Sequence, residues 1–265
     1  MKAIFFDLDG TLLNQEHQIS PFNQRVLSVL MKKGKYICLA SGRTYHSMLP
    51  FYHTLKLTTP LISYNGAKVV YQKEEIDETP LPPEVVDHLL DISRIQQLHL
   101  NLYHQEVWYT ERPDSLESRR YSEIAHLLPQ YLNMDILAGQ SFTKALFIAP
   151  AEQILAIKPL VEERLHGQIS TTSSMRNFLE ILAPQVNKGQ AIKKVCAYLN
   201  IDLKETMAFG DGLNDLEMIK TVQCGVAMGN ARSQLKTVAD DTALFNTEDG
   251  VGQYLNSYYN LGLVR

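Results

Sequence analysis

The chain has 265 residues, enough for one large domain or two modest ones, and its 45% hydrophobic and 20% charged residues are typical of a globular protein. A net charge of −4 gives no basic surface for nucleic acid or an anionic membrane. No apolar run reaches the ~18 residues of a membrane span, and the N-terminus lacks the long apolar region of a signal peptide. Three scattered cysteines indicate neither a disulfide framework nor a zinc site, and we expect all three in the core. These features predict a cytoplasmic protein with no nucleic-acid or membrane partner.

The first predicted element is a short apolar strand that ends on two carboxylates. Ala3–Phe6 is typical of a strand buried on both faces, and Asp7 and Asp9 follow it, just before the Gly-Thr of a tight turn. Ligands of open α/β sheets bind beyond the carboxyl ends of the strands, which is where both side chains fall. Two carboxylates this close repel each other by about 4 kcal/mol at an effective dielectric of about 20, and a bound cation removes that cost.

An oxygen-only ligand set of this kind suits Mg²⁺, which completes its coordination shell with water and phosphate. Two other interpretations exist. A lone Asp-x-Asp is most often an acidic surface turn. A calcium loop is disfavoured because the glycine comes too early and because a strand, not a helix, precedes the carboxylates. The apolar strand and the partners further along the chain favour the magnesium site.

The next strand ends in a candidate anion site. Strand Tyr36–Ala40 leads into Ser41, Gly42 and Arg43. A small hydroxyl, a glycine and an arginine at a strand-to-helix junction can bind an anion through side chains, backbone N–H groups and the helix dipole. The same turn also occurs for backbone reasons alone. The other elements predicted in this part of the chain are a helix from Ser20-Pro21 to Gly34, a strand over 61–64, a tight turn at Asn65-Gly66 and a strand over 68–71.

The pattern changes near Pro80–Pro83, the most proline-dense spot in the chain. Prolines at a change of composition indicate a domain boundary or a hinge. From about residue 84, hairpins mix with helices, which implies an α+β unit with an antiparallel sheet. Alternating strands and helices return after Pro184. The elements predicted in between are helices over 84–95, 116–128 and 152–166, a hairpin of 98–102 and 107–109, and strands over 144–148, 168–173 and 177–182.

A lysine and an acidic turn mark the last part of the chain. Lys188 is predicted at the start of a helix that runs to Leu199, where the helix dipole disfavours a cation unless a bound phosphate compensates it. The apolar strand 206–209 ends in the segment Gly210–Asp215, which half matches a dinucleotide-binding fingerprint. Asp215 stands at the third glycine position, so we do not expect a dinucleotide site. Two last strands are predicted over 224–228 and 243–245.

Four segments, in order along the chain, resemble the motifs of the haloacid dehalogenase-like (HAD) hydrolases. They are Phe-Asp-Leu-Asp-Gly-Thr-Leu at 6–12, Ala-Ser-Gly-Arg at 40–43, Val-Asn-Lys-Gly at 186–189 and Gly-Asp-x-x-Asn-Asp at 210–215. Ile-Ser-x-Asn-Gly-Ala at 62–67 resembles the Cof-type phosphatase branch, and Gly-Val-Ala-Met-Gly-Asn-Ala at 225–231 resembles the HAD family in general. The resemblance spans the whole chain and implies an α/β fold. A Rossmann-like parallel-sheet core of residues 1–82 and 184–265 would carry an inserted α+β cap domain of residues 83–183.

The resemblance also implies an activity, that of a Mg²⁺-dependent phosphoric monoester hydrolase with an aspartyl-phosphate intermediate. Its substrates would be small phosphorylated metabolites, such as sugar phosphates, pyridoxal phosphate, or flavin or nucleotide monophosphates. Asp7 would be the nucleophile and Asp9 the general acid and base. The metal would be held by Asp7, the Asp9 backbone carbonyl and Asp211. The phosphoryl oxygens would be held by the Leu8 backbone, Ser41, Gly42, Lys188 and Asn214, with Asp215 supporting Lys188 or the metal's waters, and Arg43 bonded to substrate or cap or purely structural.

Two rival functions remain open at this point. A phosphotransferase such as a mutase would pass the phosphoryl group to a sugar, and a catalytically silent protein would only bind phosphorylated metabolites. The cap sets the substrate, and it shows no recognisable motif. The cap residues that could face the site are Tyr103, Trp108, Arg112, Lys144, Arg176 and Asn177, each of a type that is more often a packing or surface residue. The sequence leaves the substrate and the oligomeric state open.

Overall fold

The computed structural model describes residues 1–125, 127–131, 133 and 139–265, which form three β-sheets with accompanying helices. In chain order the strands are β1 (Ala3–Phe6), β2 (Tyr36–Leu39), β3 (Leu61–Ser63), β4 (Lys68–Tyr71), β5 (Glu74–Glu78), β6 (His99–His104), β7 (Val107–Thr110), β8 (Gln130–Tyr131), β9 (Lys144–Ile148), β10 (Ser170–Thr172), β11 (Phe178–Leu182), β12 (Thr206–Gly210), β13 (Cys224–Ala227) and β14 (Asp241–Thr242). The helices are α1 (Pro21–Lys32), α2 (Tyr45–Thr54), α3 (Pro83–Gln96), α4 (Leu116–Ala125), α5 (Ala151–Arg164), α6 (Lys188–Leu199), α7 (Leu216–Thr221), α8 (Ser233–Lys236) and α9 (Gly250–Tyr258).

A five-stranded parallel sheet holds β1 at an interior position, in the order β14-β13-β12-β1-β2. All four residues of β1 are fully buried, as expected for a strand covered on both faces. Phe6 of β1 stacks on Phe209 of β12 with ring centroids 5.3 Å apart, which joins the two strands near their carboxyl ends. Because the strands are parallel, the residues that follow β1, β2 and β12 meet at one edge of the sheet. The predicted α/β fold with a parallel-sheet core is confirmed.

A six-stranded sheet in the order β10-β11-β9-β6-β7-β8 lies within residues 99–182, and its pairs are antiparallel except for β7 with β8. It has an apolar core of its own, in which Leu89 of α3, Phe147 of β9 and Val161 of α5 are fully buried. A third, antiparallel sheet consists of β3, β4 and β5. The separate core supports the predicted cap, and the division of the chain at residues 83 and 183 stays a prediction.

The strand predicted over 243–245 is wrong, because the last strand, β14, lies just before it. Thr242 is paired with Ala227 at the end of β13. Beyond it, the backbone N–H of Ala243 donates to the Ala227 carbonyl and that of Gly229 donates to the Leu244 carbonyl, but residues 243–245 form no regular ladder. The helix predicted over 116–128 ends at Ala125, and residues 127 and 128, which precede a proline, are not helical. Residue 126 lies outside the described residues.

Two cysteines, Cys38 and Cys196, are buried as predicted, whereas Cys224 is only half-buried at the start of β13. The turn predicted at Asn65-Gly66 is present between β3 and β4. In the described part of the chain, no helix combines the length and the hydrophobicity needed to cross a bilayer.

Candidate active site

The chain turns sharply after β1 and leaves Asp7 and Asp9 at the carboxyl edge of the parallel sheet. The backbone N–H of Asp7 still donates to the carbonyl of Phe209, which fixes this residue against β12. Gly10 follows with φ +80°, in the left-handed region that favours glycine. A Cβ atom here would lie 2.4 Å from Oδ2 of Asp211. Glycine therefore lets the turn approach the carboxylate that follows β12.

Lys188 lies between two carboxylates at the start of α6, with no exposed side-chain surface. Its Nζ atom donates to Oδ1 of Asp7 and to Oδ1 of Asp215, both at 2.6 Å. Burial alone would lower the pKa of Lys188, but the two negative charges raise it, so the ammonium form persists. These carboxylates also offset the unfavourable helix dipole. Asp7 and Asp215 thus supply the compensating charge that the sequence analysis assigned to a bound phosphate.

The carboxylates of Asp7, Asp211 and Asp215 have ligand atoms within 4.8 Å of one another. Burial and the neighbouring carboxylates raise the pKa of Asp7 well above its usual range, against the lowering effect of Lys188. Burial and the charge of Asp215 raise the pKa of Asp211 to about 7, although Thr11 donates a 2.9 Å hydrogen bond to its Oδ1. Both shifts indicate negative charge that the protein leaves uncompensated.

The donor set of this cluster fits a hard divalent cation, because all its ligand atoms are carboxylate oxygens. Among the described residues, Oδ2 of Asp211 makes no hydrogen bond and can coordinate a metal. Each oxygen of Asp7 keeps at least one free lone pair, so one oxygen can coordinate a metal while the other stays available. Asp215 is already engaged. Its Oδ1 accepts from Lys188, and its Oδ2 accepts from the backbone N–H groups of Asp211 and Gly212 at 2.9 Å. This geometry suits a supporting residue better than a metal ligand.

Asp9 is not part of this cluster and pairs with Arg43. Nε and Nη2 of Arg43 donate to the two carboxylate oxygens of Asp9 at 2.7 and 2.6 Å, a bidentate arrangement. Burial would raise the pKa of Asp9, but the hydrogen bonds and charge of Arg43 lower it, so Asp9 is a carboxylate in this state. The guanidinium also lies 5.3 Å from the ring centroid of Phe51. A general acid needs a proton, so Asp9 has to separate from Arg43 before it can act as one.

A cavity of about 340 Å³ is lined by residues that follow strands of the parallel sheet and by residues of the six-stranded sheet. The predicted site residues that line it are Asp7, Asp9, Ser41, Gly42, Arg43, Asp211 and Asn214. The other three, Leu8, Lys188 and Asp215, are fully buried behind this surface. Lys188 and Asp215 therefore act on the cavity through Asp7 and the turn after β12. The structure brings the predicted set together, and the role of each residue stays a prediction.

The sequence predicts fewer of the cavity residues that come from residues 99–182, which contain the six-stranded sheet. Of the six cap candidates, all within the described residues, Lys144 alone lines the cavity, and Tyr103 and Trp108 are fully buried. Glu180 was not predicted, although a carboxylate in the middle of the apolar strand β11 is an unusual feature that could have indicated it. The other lining residues that were not predicted are Tyr121, Glu123, Leu146, Ser174, Met175 and Phe178 on the cap side, with His17, Thr44, Ser47 and Gly212.

Comparison with known families agrees with this geometry. A family model described as haloacid dehalogenase-like hydrolase matches residues 4–255. The chain belongs to the haloacid dehalogenase-like hydrolases. The resemblance carried by the four sequence motifs, including that to the Cof-type branch, is therefore confirmed.

Curated relatives of this HAD hydrolase are named as phosphatases. It is 31% identical over 266 residues to the 5-amino-6-(5-phospho-D-ribitylamino)uracil phosphatase YitU of Bacillus subtilis (strain 168), covering 97% of each chain. It is 29% identical to the HMP-PP phosphatase of Serratia proteamaculans (strain 568), covering 96% of this chain and 93% of the relative. A haloacid dehalogenase-like hydrolase from Bacteroides thetaiotaomicron, solved by crystallography, has a TM-score of 0.88 and 30% identity over 97% of this chain and 99% of that one. The predicted phosphatase class is confirmed, and these relatives differ in the substrate they are named for.

Proposed function

We propose that this HAD hydrolase is a Mg²⁺-dependent phosphatase that cleaves phosphate monoesters of small metabolites through an aspartyl-phosphate on Asp7. The observation that supports this proposal is the arrangement of contacts around the Asp7 carboxylate. Its Oδ1 accepts a 2.6 Å hydrogen bond from Lys188, and its residue lines the cavity with Oδ2 available. One oxygen is thus anchored, and the other is a nucleophile of fixed direction. Two relatives named as phosphatases for different compounds support the reaction class.

The groups around Asp7 would bind the phosphoryl group. Ser41 and Gly42 follow β2 with a hydroxyl and backbone N–H groups, and Asn214 also lines the cavity. The backbone of Leu8, the residue after Asp7, would complete the set. Phosphoryl transfer spreads negative charge over the equatorial oxygens, so positioning and electrostatic stabilisation supply most of the catalysis. Lys188 would add a positive charge beside the nucleophile.

Mg²⁺ would be held by Asp7, the backbone carbonyl of Asp9 and Asp211. When bound, it would supply positive charge that reduces the repulsion between the attacking carboxylate and the phosphoryl group. The raised pKa values of Asp7 and Asp211 are what such an ion would relieve. Asp215 would hold Lys188 and the turn after β12 in place.

The reaction would consist of two displacements. In the first, Oδ2 of Asp7 bonds to phosphorus as the bond from phosphorus to the alcohol oxygen breaks, and that oxygen takes a proton from Asp9. In the second, Asp9 removes a proton from a water molecule whose oxygen attacks phosphorus, and the bond between Asp7 and phosphorus breaks. Inorganic phosphate leaves, and Asp9 gives up its proton as it pairs with Arg43 again; in the next cycle it takes up a proton when it separates from Arg43. The pair of Asp9 with Arg43 would be the resting state.

The cavity favours a small substrate, because about 340 Å³ is near the lower end of the ~300–1,000 Å³ found for ligand sites. Residues 83–183 would act as a cap that supplies the far wall, so selectivity would arise there. A cytoplasmic location and the absence of nucleic-acid and membrane partners stay predictions from the sequence.

Turnover of p-nitrophenyl phosphate with and without a chelator tests the proposal. We expect the chelator to abolish phosphate release, added Mg²⁺ to restore it, and Asp7→Asn to be inactive throughout. Phosphate release without an acceptor alcohol distinguishes hydrolysis from phosphotransfer, and any turnover excludes a silent binding protein. Full activity in excess chelator contradicts the metal assignment, and an active Asp7→Asn contradicts the nucleophile.

A further inference from the structure

A chain of hydrogen bonds connects two sides of the proposed phosphate site. Nδ2 of Asn214 donates to Oδ1 of Asn65 at 3.0 Å, and Nδ2 of Asn65 donates to Oε2 of Glu180 at 2.5 Å. The same Oε2 accepts from Nζ of Lys144 at 3.3 Å, and that Nζ donates to the Gly42 carbonyl at 3.1 Å. The chain thus begins at Asn214 and ends at Gly42, two residues that we propose to bind phosphoryl oxygens.

The middle of this network is shielded from water. Asn65, Glu180 and Lys144 expose 1%, 2% and 3% of their surface. Glu180 pairs with Leu146 in the register of β11 with β9, so Glu180 and Lys144 lie on one face of the sheet. Asn65 has φ 55°, a left-handed conformation that asparagine tolerates. Buried polar groups are costly when unpaired, so these side chains are held in one arrangement.

The direction of the hydrogen bonds follows from the carboxylate. A carboxylate accepts but does not donate, so the NH₂ group of Asn65 has to face Glu180. The Asn65 oxygen then faces Asn214 and attracts the NH₂ group of that second amide. The Asn214 oxygen lies on another side, where a Cβ atom added to Gly212 would be 2.3 Å from it. Glu180 thus sets the orientation of both amides from the far end of the network.

We propose that Glu180 and Asn65 are positioning residues that present the NH₂ group of Asn214, and not its oxygen, to the phosphoryl group. A reversed Asn214 amide would place an oxygen against the phosphoryl oxygens and repel them. Lys144 neutralises Glu180 and fixes the Gly42 peptide on the opposite side. This inference rests on the proposed function, because it requires Asn214 to bind phosphate.

Substitutions of Glu180 distinguish the effect of its hydrogen-bond direction from the effect of its negative charge. Glu180→Gln removes the charge but keeps an acceptor for Asn65 and Lys144, and its NH₂ group can donate to Ser174, whose hydroxyl now donates to Glu180. Lys144→Met combined with Glu180→Met replaces the ion pair with apolar side chains, a change that often leaves stability unaltered or raised. The Asn65 amide can then rotate so that its oxygen and its NH₂ group exchange places. Asn65→Gly tests the relay independently, since glycine keeps the left-handed backbone and removes the amide.

Inhibition by inorganic phosphate is the decisive measurement, because it reports anion binding without chemistry. We expect the double Met variant and Asn65→Gly to weaken phosphate inhibition about tenfold, as for loss of a hydrogen bond to a charged group. Their kcat/KM for p-nitrophenyl phosphate should fall about 100-fold, the lower end for loss of one oxyanion donor. Glu180→Gln should keep most of the phosphate inhibition and most of the kcat/KM that the double Met variant loses.

Glu78→Met is the matched control. Glu78 accepts a hydrogen bond from Thr143, the neighbour of Lys144 on β9, and makes none to the network. It should change the melting temperature and leave phosphate inhibition as it was. The inference is overturned if the double Met variant or Asn65→Gly, shown to be folded by its thermal unfolding transition, is inhibited by phosphate as strongly as the unchanged protein. It is also overturned if Glu180→Gln weakens phosphate inhibition as much as the double variant does. If the unchanged protein has no turnover, the proposed function fails, and calorimetric binding of phosphate to the same variants still decides on the relay.

Discussion

The raised pKa of Asp211 makes the stability of the metal-free protein depend on pH. This carboxyl group has a pKa of about 7 in the folded chain, against about 3.9 in an unfolded one. Between these values the folded state holds a proton that the unfolded state has released, so the folded state loses stability as the pH rises through this window. Asp7, whose pKa is also raised, contributes in the same direction.

We therefore expect Mg²⁺ to raise the melting temperature more at about pH 8 than at about pH 5, because the ionised cluster attracts the ion and the protonated one does not. Thermal unfolding with and without Mg²⁺ at the two pH values measures the difference. Asp211→Asn is the control and should remove most of the dependence on pH and on Mg²⁺. An equal effect of Mg²⁺ at both pH values contradicts the assignment.

Asp9→Asn keeps the backbone carbonyl proposed for the metal but cannot transfer a proton. General acid–base assistance is typically worth about 10²–10⁴-fold, and a sugar alkoxide needs it more than p-nitrophenolate does. The variant should therefore form the aspartyl-phosphate from p-nitrophenyl phosphate, fail with an alkyl phosphate, and hydrolyse the intermediate slowly. Rapid mixing should show a burst of one nitrophenolate per site and then little more. Steady turnover with equal losses on both substrates would leave Asp9 only a metal-positioning role.

Gly10 in the turn after β1 offers a test with a matched control in the turn after α1. Gly10 and Gly34 have φ values of +80° and +77°, so alanine at either position is strained by about 1–2 kcal/mol. A Cβ atom at Gly34 would meet nothing within 4 Å, whereas one at Gly10 would press on Asp211. We expect both Gly→Ala variants to melt a few degrees lower and Gly10→Ala alone to need much more Mg²⁺ for activity. Titration with Mg²⁺ measures this, and an equal Mg²⁺ requirement in both would refute the contact.

The strands and helices that the sequence predicts best are those with a strong apolar pattern. Strand β9 has the predicted bounds, and α6 ends at the predicted Leu199. Strand β5, with the sequence Glu-Glu-Ile-Asp-Glu, lies at the edge of its sheet and gives no apolar signal, so it was not predicted. Residues 243–245 show the opposite error, since this apolar run makes backbone hydrogen bonds to the segment after β13 without forming a regular strand.

The candidate site divides in the same way. Residues such as Asp7, Lys188 and Asp211 belong to short motifs, so local sequence identifies them, and the parallel sheet then brings them together. Asn65 and Glu180 meet across 115 positions of the chain, and no spacing rule predicts that contact. The same applies to the cavity wall on the cap side, which depends on how the two sheets face each other.

A buried cluster with many aromatic side chains joins the six-stranded sheet to the turn between β3 and β4 and to the segment before α6, because Tyr64 and Val186 pack with Tyr103, Trp108 and Phe178. Tyr64 and Tyr103 meet edge to face with ring centroids 5.8 Å apart. The cluster fixes the wall of the cavity opposite Asp7. The substrate specificity of the enzyme should therefore depend on residues of this wall that are still partly exposed.

Met175 is such a residue, 39% exposed and part of the cavity lining. We expect Met175→Ala to change the ratio of kcat/KM values between metabolite phosphates by about tenfold, which is the scale of a lost apolar contact in a specificity pocket. p-Nitrophenyl phosphate, a generic substrate, should respond less. Leu155→Ala on α5 is the control, since Leu155 is exposed and outside the lining. A panel of phosphate esters assayed on both variants measures this, and matching profiles would argue against selection by this wall.

The interior position of β1 has a consequence for synthesis on the ribosome. β1 can pair with β2 once residue 39 has been made, but its other neighbour, β12, begins at residue 206. Until then one edge of an apolar strand stays unpaired, and such edges are where growing chains aggregate. Lys188, which pairs with Asp7, and Asp215, which pairs with Lys188, are also made late. Asp7, the proposed nucleophile, is thus made 181 residues before Lys188, and it lacks both partners until that part of the chain has followed.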